Sequence, residues 1–220
     1  MSRKLYAAFA PLLAIAAFVL APAVAQAQPH WYSNGVRLPE TGAKTAVTTK
    51  GELDLEALES VLTCKAKDKG TIDNPANGKA GEDSITEFSN TGCVANPAVC
   101  TAGETLTLIA SRGGNPLSAT NEWPTILEET GGVIRDRISE IEIKIECNGV
   151  VKATFTGTLT PRFVNSGAPK TCEGATDSFV EFDEPGSGHL IGPLGAEGFP
   201  SGKDFIEGPA GDRCITVQNP

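Results

Sequence analysis

The stretch ISEIEIKIECNGVVKATFTGTLTP, residues 138–161, decides the fold of this chain. In its first half, isoleucines alternate with charged residues, which is the pattern of a strand with one buried and one solvated face. After the Asn148-Gly149 dipeptide the alternation resumes, with apolar residues between lysine and threonines. Two alternating runs around an Asn-Gly dipeptide predict a β-hairpin.

The length of the hairpin connection sets the register of the two strands. A two-residue Asn-Gly turn would mix the buried and solvated faces, because directly opposed residues share a face. A three-residue connection ending at Gly149, with this glycine as a left-handed bulge residue, pairs Ile145 with Val151. A three-residue connection that begins one residue later pairs Ile143 with Phe155. We favour the bulge, because positive φ costs a non-glycine residue about 1 kcal/mol.

The N-terminus has the pattern of an export signal. Arg3 and Lys4 precede an apolar run over residues 5–20, and small residues follow at 21–27. This pattern predicts a signal peptide over residues 1–27, cleaved after Ala25 or Ala27, of which we favour Ala27. The alternative is a retained membrane anchor, because the apolar run approaches the length of a span.

The mature chain is strongly acidic. Loss of the leader changes the formal net charge from −9 to −11. An acidic surface argues against nucleic acid and anionic membranes as partners, since both require a basic footprint. We expect an extended N-terminal segment over 28–43 and one β-rich globular domain over 44–220, with glycine-rich hairpins from about residue 166.

Six cysteines in an exported chain predict three disulfides. A metal site is the alternative, but the chain contains no Cys-x-x-Cys motif. The two cysteines closest in sequence predict a Cys93–Cys100 loop. The other four allow three pairings, of which we favour Cys64–Cys147 with Cys172–Cys214.

Short runs rich in threonine, valine, isoleucine and phenylalanine, bounded by Gly, Asn, Pro or Asp, recur along the mature chain. They predict an all-β fold: a single antiparallel β-sandwich-like domain with disulfides, following a cleaved signal peptide. Residues 54–59 are compatible with a helical turn. The polar stretch Lys65 to Asp83 is expected to form a loop.

Several strings together resemble a known group of proteins. They are HWYSNG (30–35), TCKAKDKGTIDNP (63–75), EWPTILEE (122–129), IRDRIS (134–139) and CNGVVKATFTGTLTP (147–161). In this order they are similar to small exported β-rich proteins of actinobacteria to which no function is assigned. The resemblance implies secretion and a shared β fold, and it carries over no catalytic residue.

One acidic stretch offers oxygen ligands that suit calcium. The candidate ligands are Asp68, Asp73, Asn77, Glu82 and Asp83. Their spacing does not match an EF-hand, and a solvated loop with turn-forming Asn and Asp is the alternative. No other cofactor is implied.

Other candidate residues are aromatic side chains and one histidine. Trp31, Tyr32 and Trp123 could contact a ligand, although Trp123 could equally anchor the core. His189, with Asp183 and Glu184 nearby in sequence, could act as the base of a hydrolase. No Gly-x-Ser-x-Gly motif accompanies it.

These observations favour an exported, non-enzymatic β module that binds, adheres or scaffolds at or outside the cell envelope. The alternative is a secreted hydrolase acting on carbohydrate or ester substrates. A third reading is a protease-inhibitor-like module with an exposed disulfide loop at 93–100. The partner is an unidentified envelope or extracellular ligand, and the sequence does not define an oligomeric state.

Overall fold

The computed structural model describes residues 28–165, 178–183, 186–209 and 214–219. These residues form antiparallel strands and one short 3-10 helix, Pro193–Gly195. The predicted all-β antiparallel fold with disulfides is confirmed. The strands are β1 (His30–Ser33), β2 (Val36–Arg37), β3 (Thr45–Ala57), β4 (Ser60–Asp73), β5 (Glu82–Asn96), β6 (Leu106–Arg112), β7 (Asn115–Pro116), β8 (Trp123–Thr130), β9 (Val133–Cys147), β10 (Val150–Leu159), β11 (Arg162–Val164), β12 (Phe179–Phe182), β13 (Leu190–Ile191), β14 (Glu197–Glu207) and β15 (Ile215–Gln218).

The larger sheet closes on itself because β14 pairs with β3 from Phe199–Glu56 to Glu207–Thr48. Five strands contribute to both halves of the resulting ring: β3, β4, β5, β9 and β14. In one half the remaining neighbours are β6, β10 and β13, and in the other half they are β8, β11 and β12. Eight strands therefore surround the interior in each half, which is about the number whose interior side chains can fill.

One contact in this ring uses a side chain in place of backbone pairing. Asn90 of β5 donates from Nδ2 to the carbonyl of Leu108 at 2.5 Å, and its Oδ1 accepts the Leu108 amide at 3.2 Å. A carboxamide has one acceptor and two donors, so it can replace a neighbouring peptide group. Asn90 thereby joins β5 to β6.

A small three-stranded sheet covers one end of the ring. Strand β1 lies between β15 and β2, and we call this sheet the cap. Trp31 of the cap is 1% exposed and packs edge-on against Phe163, with ring centroids 5.3 Å apart. Residues 28–43, expected to be an extended N-terminal segment, are therefore part of the domain.

The hairpin that decides the fold is present, but its connection differs from the favoured one. Asn148 and Gly149 form a two-residue turn with φ of 50° and 78°, so Val150 pairs with Cys147. An extra residue, Lys152, then forms a bulge and restores the match between the buried faces. The body of the hairpin consequently has Phe155 opposite Ile143. The bulge predicted at Gly149 is wrong because the irregularity lies three residues further along.

Two predicted disulfides are also wrong. Cys64 bonds to Cys93, and Cys100 bonds to Cys147. Adjacent strands bring the first two together, because β4 and β5 run side by side there. The second bond fastens the loop between β5 and β6 to the end of β9, so no disulfide loop exists at 93–100. Cys214 is disulfide-bonded, and its predicted partner Cys172 lies outside the described residues.

The strands are longer than the sequence indicated. The expected loop at Lys65–Asp83 is wrong, because β4 continues to Asp73 and only residues 74–81 connect it to β5. The helical turn considered at 54–59 is also absent. Leu53, Leu55 and Ala57 face the core in alternation, so the chain stays extended until a turn with positive φ begins at Leu58.

Gly51 allows the closure of the ring. A Cβ at this position would lie 1.9 Å from the carbonyl oxygen of Lys203 and 2.3 Å from Oδ1 of Asp204. We expect Gly51→Ala to lower the free energy of unfolding by about 3 kcal/mol, since the added methyl group separates β3 from β14. Urea denaturation measures this change.

The matched control is Gly114→Ala. An added Cβ there meets nothing within 4 Å, and only the positive φ of 81° opposes it, at about 1 kcal/mol. Equal losses for the two variants would contradict the role given to Gly51.

Candidate functional site

The half of the ring nearest the cap contains a largely enclosed cavity of about 40 Å³, which we call the chamber. A volume of about 10–15 Å³ admits one water, so a few waters fit. Four carboxyl groups from four different strands line it, together with Trp31 of the cap. They are Asp68 of β4, Asp83 of β5, Asp136 of β9 and Asp204 of β14.

Strand alternation places these carboxyl groups inside. Asp136 precedes buried Ile138 by two residues, and Asp204 precedes buried Ile206 by two, so each aspartate shares the inward face of its strand. Asp83 pairs with Ile72, which is 1% exposed. Asp136 and Asp204 were not among the candidate residues predicted from the sequence, although their spacing from core isoleucines was the available signal.

Asp83 and Asp136 form one carboxyl pair. Burial is the main cause that raises the pKa of both groups, to about 7 for Asp136 and well above its usual range for Asp83. A hydrogen bond between them raises the pKa of Asp83 further and moderates that of Asp136. Two carboxyl groups can share such a bond only when one carries a proton, so the pair titrates as a unit.

Asp68 and Asp204 form the second pair. Burial, followed by the charge of Asp204, raises the pKa of Asp68 well above its usual range, and a 3.2 Å hydrogen bond from the Thr49 hydroxyl to Oδ2 opposes this. Burial raises the pKa of Asp204 to about 6. Asp68 is half-buried as a residue, but its Oδ1 atom is fully covered.

Five polar atoms of the residues around the chamber have no partner of good hydrogen-bond geometry. They are Oδ1 of Asp68, Asp83, Asp136 and Asp204, and Nε1 of Trp31. Asp136 and Asp204 are 5% and 6% exposed, so bulk solvent does not compensate them. Buried polar atoms without partners cost about 1–3 kcal/mol each, which makes a polar occupant of the chamber favourable.

The residues predicted to bind calcium do not converge on one point. Asp68 and Asp83 line the chamber, whereas Asp73 and Glu82 line an open outer cleft of about 410 Å³ to which Asp83 also contributes. Asn77 is exposed in the connection between β4 and β5. Burial raises the pKa of Asp73. The positive charge of Lys44 lowers this pKa, and the negative charge of Glu122 raises it.

A cation cage requires several oxygen ligands around one point. Among the described residues, the group whose potential ligand atoms lie within 4.8 Å of one another is Cys100, Glu104 and Cys147. Its two sulfurs form a disulfide with each other, so they are not available as thiolate ligands. Calcium binding stays a prediction.

The candidate tryptophans present no exposed ring. Trp31 is 1% and Trp123 4% exposed, and Tyr32 is half-buried. Trp123 donates from Nε1 to the carbonyl of Ser111 at 2.8 Å, as a core anchor does. The core alternative for Trp123 is confirmed, and Trp31 belongs to the wall of the chamber.

His189 lies on the surface beside an acid. Its Nε2 is 3.6 Å from Glu197, and its ring packs against Phe199. Asp183 instead binds Ser187, whose hydroxyl donates to the carboxylate at 3.0 Å. In the part of the chain that the structure describes, no hydroxyl or thiol is hydrogen-bonded to His189. Glu184 lies outside the described residues.

A second candidate surface is the end of the ring opposite the cap, which we call the disulfide end. The β3–β4 turn, the end of β5, the β9–β10 turn and the start of β14 meet there, and both described disulfides lie near it. Seven of the ten exposed large apolar side chains in the described residues lie at this end. They are Leu58, Val61, Val94, Val150, Val151, Ile191 and Leu194.

Comparisons with protein-family models, with curated proteins and with solved structures find no match to this chain. The resemblance to exported actinobacterial proteins therefore stays a prediction. Within the described ranges no helix has both the length and the apolar character needed to cross a membrane. Residues 1–27, the predicted signal peptide, lie outside these ranges.

Asn74 fixes the cap over the chamber. It is fully buried, accepts the Trp31 amide at 2.9 Å, and donates to the carbonyls of Trp31 and Leu38. We expect Asn74→Ala to lower the free energy of unfolding by about 3 kcal/mol, because the Trp31 amide and the Leu38 carbonyl lose this partner, whereas the Trp31 carbonyl keeps the Leu38 amide at 3.0 Å. Chemical denaturation followed by tryptophan fluorescence measures the loss.

Two further variants test whether the hydrogen bonds of Asn74 cause this loss. Asn74→Asp keeps an acceptor for the Trp31 amide but cannot donate when ionised, so it should not rescue stability. Asn115→Ala removes an exposed turn hydrogen bond and should change stability by less than about 0.5 kcal/mol. A similar small change for Asn74→Ala would show that the cap does not depend on this side chain.

Proposed function

We propose that this chain is an exported, non-enzymatic binding module that contacts an envelope or extracellular partner through its disulfide end. The observation that carries the proposal is the concentration of exposed apolar side chains at that end. Soluble domains expose apolar residues singly, and their accumulation in one region is typical of interaction surfaces. Export rests on the leader-like residues 1–27 and on the paired cysteines, which suit an oxidising compartment.

The disulfide end is well suited to present a fixed surface. Cys100–Cys147 ties the β5–β6 loop to the β9–β10 hairpin, and the Thr105 amide donates to Oδ1 of Asn148 at 2.9 Å. The Asn148 amide in turn donates to the Thr105 carbonyl at 3.0 Å. A surface whose backbone is already ordered loses less conformational entropy when it binds.

The partner we favour has an apolar contact surface. Leu194 protrudes fully into solvent, and Val150 and Val94 are 59% and 62% exposed. Their burial against a partner would stabilise the complex by about 25 cal/mol for each Å² removed from water. The acidic character of the remaining chain disfavours phosphate-rich partners.

The matched substitutions Val150→Glu and Val36→Glu test the proposal. Both valines are exposed, on strands at opposite ends of the molecule, and both changes add one negative charge. We expect Val150→Glu, and separately Leu194→Glu, to lower retention on washed envelopes of the producing cells at least tenfold. Val36→Glu should bind like the natural chain. Quantitative immunoblotting of bound and free protein measures retention.

Equal retention of all three variants and the natural chain would contradict the disulfide end as the contact surface. Complete recovery of the natural chain as a free monomer in the medium would contradict the binding function. Sedimentation of the purified proteins separates binding to an envelope component from association between copies of this chain, since only the latter occurs without envelopes.

The second candidate function is a secreted hydrolase acting on carbohydrate or ester substrates. The observation in its favour is Glu197 beside His189, because an acid next to an imidazole can orient a base. It requires a nucleophile or a water positioned by His189. Hydrolysis of model esters or glycans that is lost in His189→Ala, while envelope retention persists, would favour this function.

A further inference from the structure

The chamber contains two facing carboxyl pairs enclosed by the ring and by Trp31 of the cap. We propose that these pairs act as a proton-operated lock: with one carboxyl group of each pair protonated the chamber stays closed under the cap, and loss of the protons admits water and loosens the cap. The proposal is independent of the binding function, because the cap and the disulfide end are opposite ends of the molecule.

The geometry requires protons. Two ionised carboxylates in contact within a low-dielectric interior repel strongly, and one member of such a pair normally stays protonated. Asp83 and Asp136 line the same cavity and interact through their side chains, and a hydrogen bond between two carboxyl groups requires one proton. Asp204 acts on the buried Asp68 only through its charge, with the Thr49 hydroxyl as the one polar neighbour that favours ionisation.

No cation faces the pairs from the surrounding described strands. Thr49 of β3 and Thr125 of β8 contribute hydroxyl groups, while β12 contributes apolar Val180 and Phe182. Lys69 lies at the wall, but its ammonium group binds Glu87 on the outer surface. From the outer cleft, the negative charge of Asp73 opposes ionisation of Asp83.

A divalent ion is a poorer occupant than protons. Calcium requires six to eight oxygens at about 2.3–2.6 Å, which places ligand oxygens within about 5 Å of one another. No three of the four chamber carboxyl groups, all of which lie in described strands, meet the 4.8 Å separation. The arrangement in pairs therefore matches one bound proton in each pair.

The sign of the pH effect follows from the raised pKa values. An unfolded aspartate has a pKa of about 3.9, whereas burial raises the pKa of Asp204 to about 6 and that of Asp136 to about 7. The folded chain holds more protons than the unfolded chain between these values, so stability is lost as the pH rises from about 4 through 7. Each extra proton makes the unfolding constant rise about tenfold per pH unit.

Other shifted groups also titrate. Burial raises the pKa of Asp73, so its contribution is lost as the pH rises, in the same direction as that of the pairs. The pKa values of Glu142 and Glu181 are lowered, so their contributions are lost only as the pH falls below about 4.5. Burial, then Arg37, lowers the pKa of His30, so its contribution increases as the pH rises towards 6.5. His30 is not among the residues lining the chamber. Comparison of variants with the natural chain cancels these contributions.

The cap is the element that the lock controls. Trp31 is the chamber wall that belongs to the cap, and its Nε1 lacks a partner, as do the Oδ1 atoms of the four aspartates that line the same cavity. Ionisation makes hydration of the carboxyl groups more favourable. Water that enters beside Trp31 would expose an indole that is 1% accessible in the closed form.

The experiment is urea denaturation of the full mature chain from pH 5 to pH 8. We expect the unfolding constant of the natural chain to increase with pH. Asp136→Asn and Asp204→Asn should each reduce that slope by about one proton, because an amide removes the like charge. At pH 8 both variants should be more stable than the natural chain. The control Glu56→Gln, on an exposed residue of β3, should retain the natural slope.

Two further measurements follow the solvent accessibility of Trp31 and the protonation of the carboxyl groups directly. Acrylamide should quench little tryptophan fluorescence at pH 5. At pH 8 it should quench at most the part of the fluorescence that one of the two tryptophans, Trp31, emits. The infrared band of protonated carboxyl groups should be present in the natural chain at pH 5 and weaker in Asp136→Asn. Neither the quenching nor the infrared measurement requires that a variant be denatured.

Three results would overturn the lock. The first is a slope that is flat or negative in the natural chain, or that neither Asp→Asn variant changes. The second is fluorescence equally protected at pH 5 and pH 8. The third is stabilisation by millimolar calcium at pH 8 that disappears in Asp136→Asn, which would identify the chamber as a cation site.

Discussion

The pairing of β14 with β3 is the constraint on which the rest of the structure depends. It joins a strand near the C-terminus to one near the N-terminus and turns an open sheet into a ring with a common interior. Side chains that would alternate between two faces of an open sheet then alternate between the enclosed interior and solvent. Gly51 opposite Asp204 permits this approach, so one position without a Cβ influences both the closure and the chamber beneath it.

Asparagine side chains complete the enclosure where backbone pairing fails. Asn90 binds both polar groups of Leu108, Asn74 binds those of Trp31, and Asn165 binds those of Val217 on β15 at 2.6 and 2.8 Å. In each case the carboxamide acts as a peptide group belonging to a missing strand, since it offers both a donor and an acceptor. Two of these contacts fasten the cap, which explains how a small sheet stays fixed over the end of a larger one.

The local sequence pattern predicted the strands, but not which strands become neighbours when the ring closes. Alternation around Asn148-Gly149 is a property of adjacent residues, so the hairpin, the all-β class and the buried face of β9 could be predicted. The bond between Cys64 and Cys93 depends on the register of two long strands. The second half of β4, from Lys65 onward, has the Lys, Asp and Gly content that predicts a loop, so its pairing with β5 was not expected. The burial of the inward-facing aspartates could not be predicted for the same reason, because a polar side chain is expected to be exposed unless the chain closes around it.

The chamber is better explained by a role than by stability. Replacing buried charged groups with apolar residues of similar volume is often neutral or stabilising, and here the groups repel one another when ionised. Four carboxyl groups under Trp31 therefore weaken the closed form at neutral pH more than an apolar core would. Among the described residues, the buried carboxyl groups of the interior lie in this half of the ring, whereas Leu62, Phe155 and Ile145 fill the other half. Under the functions proposed above, this division would give the molecule a rigid end for contact and a capped end that responds to protons.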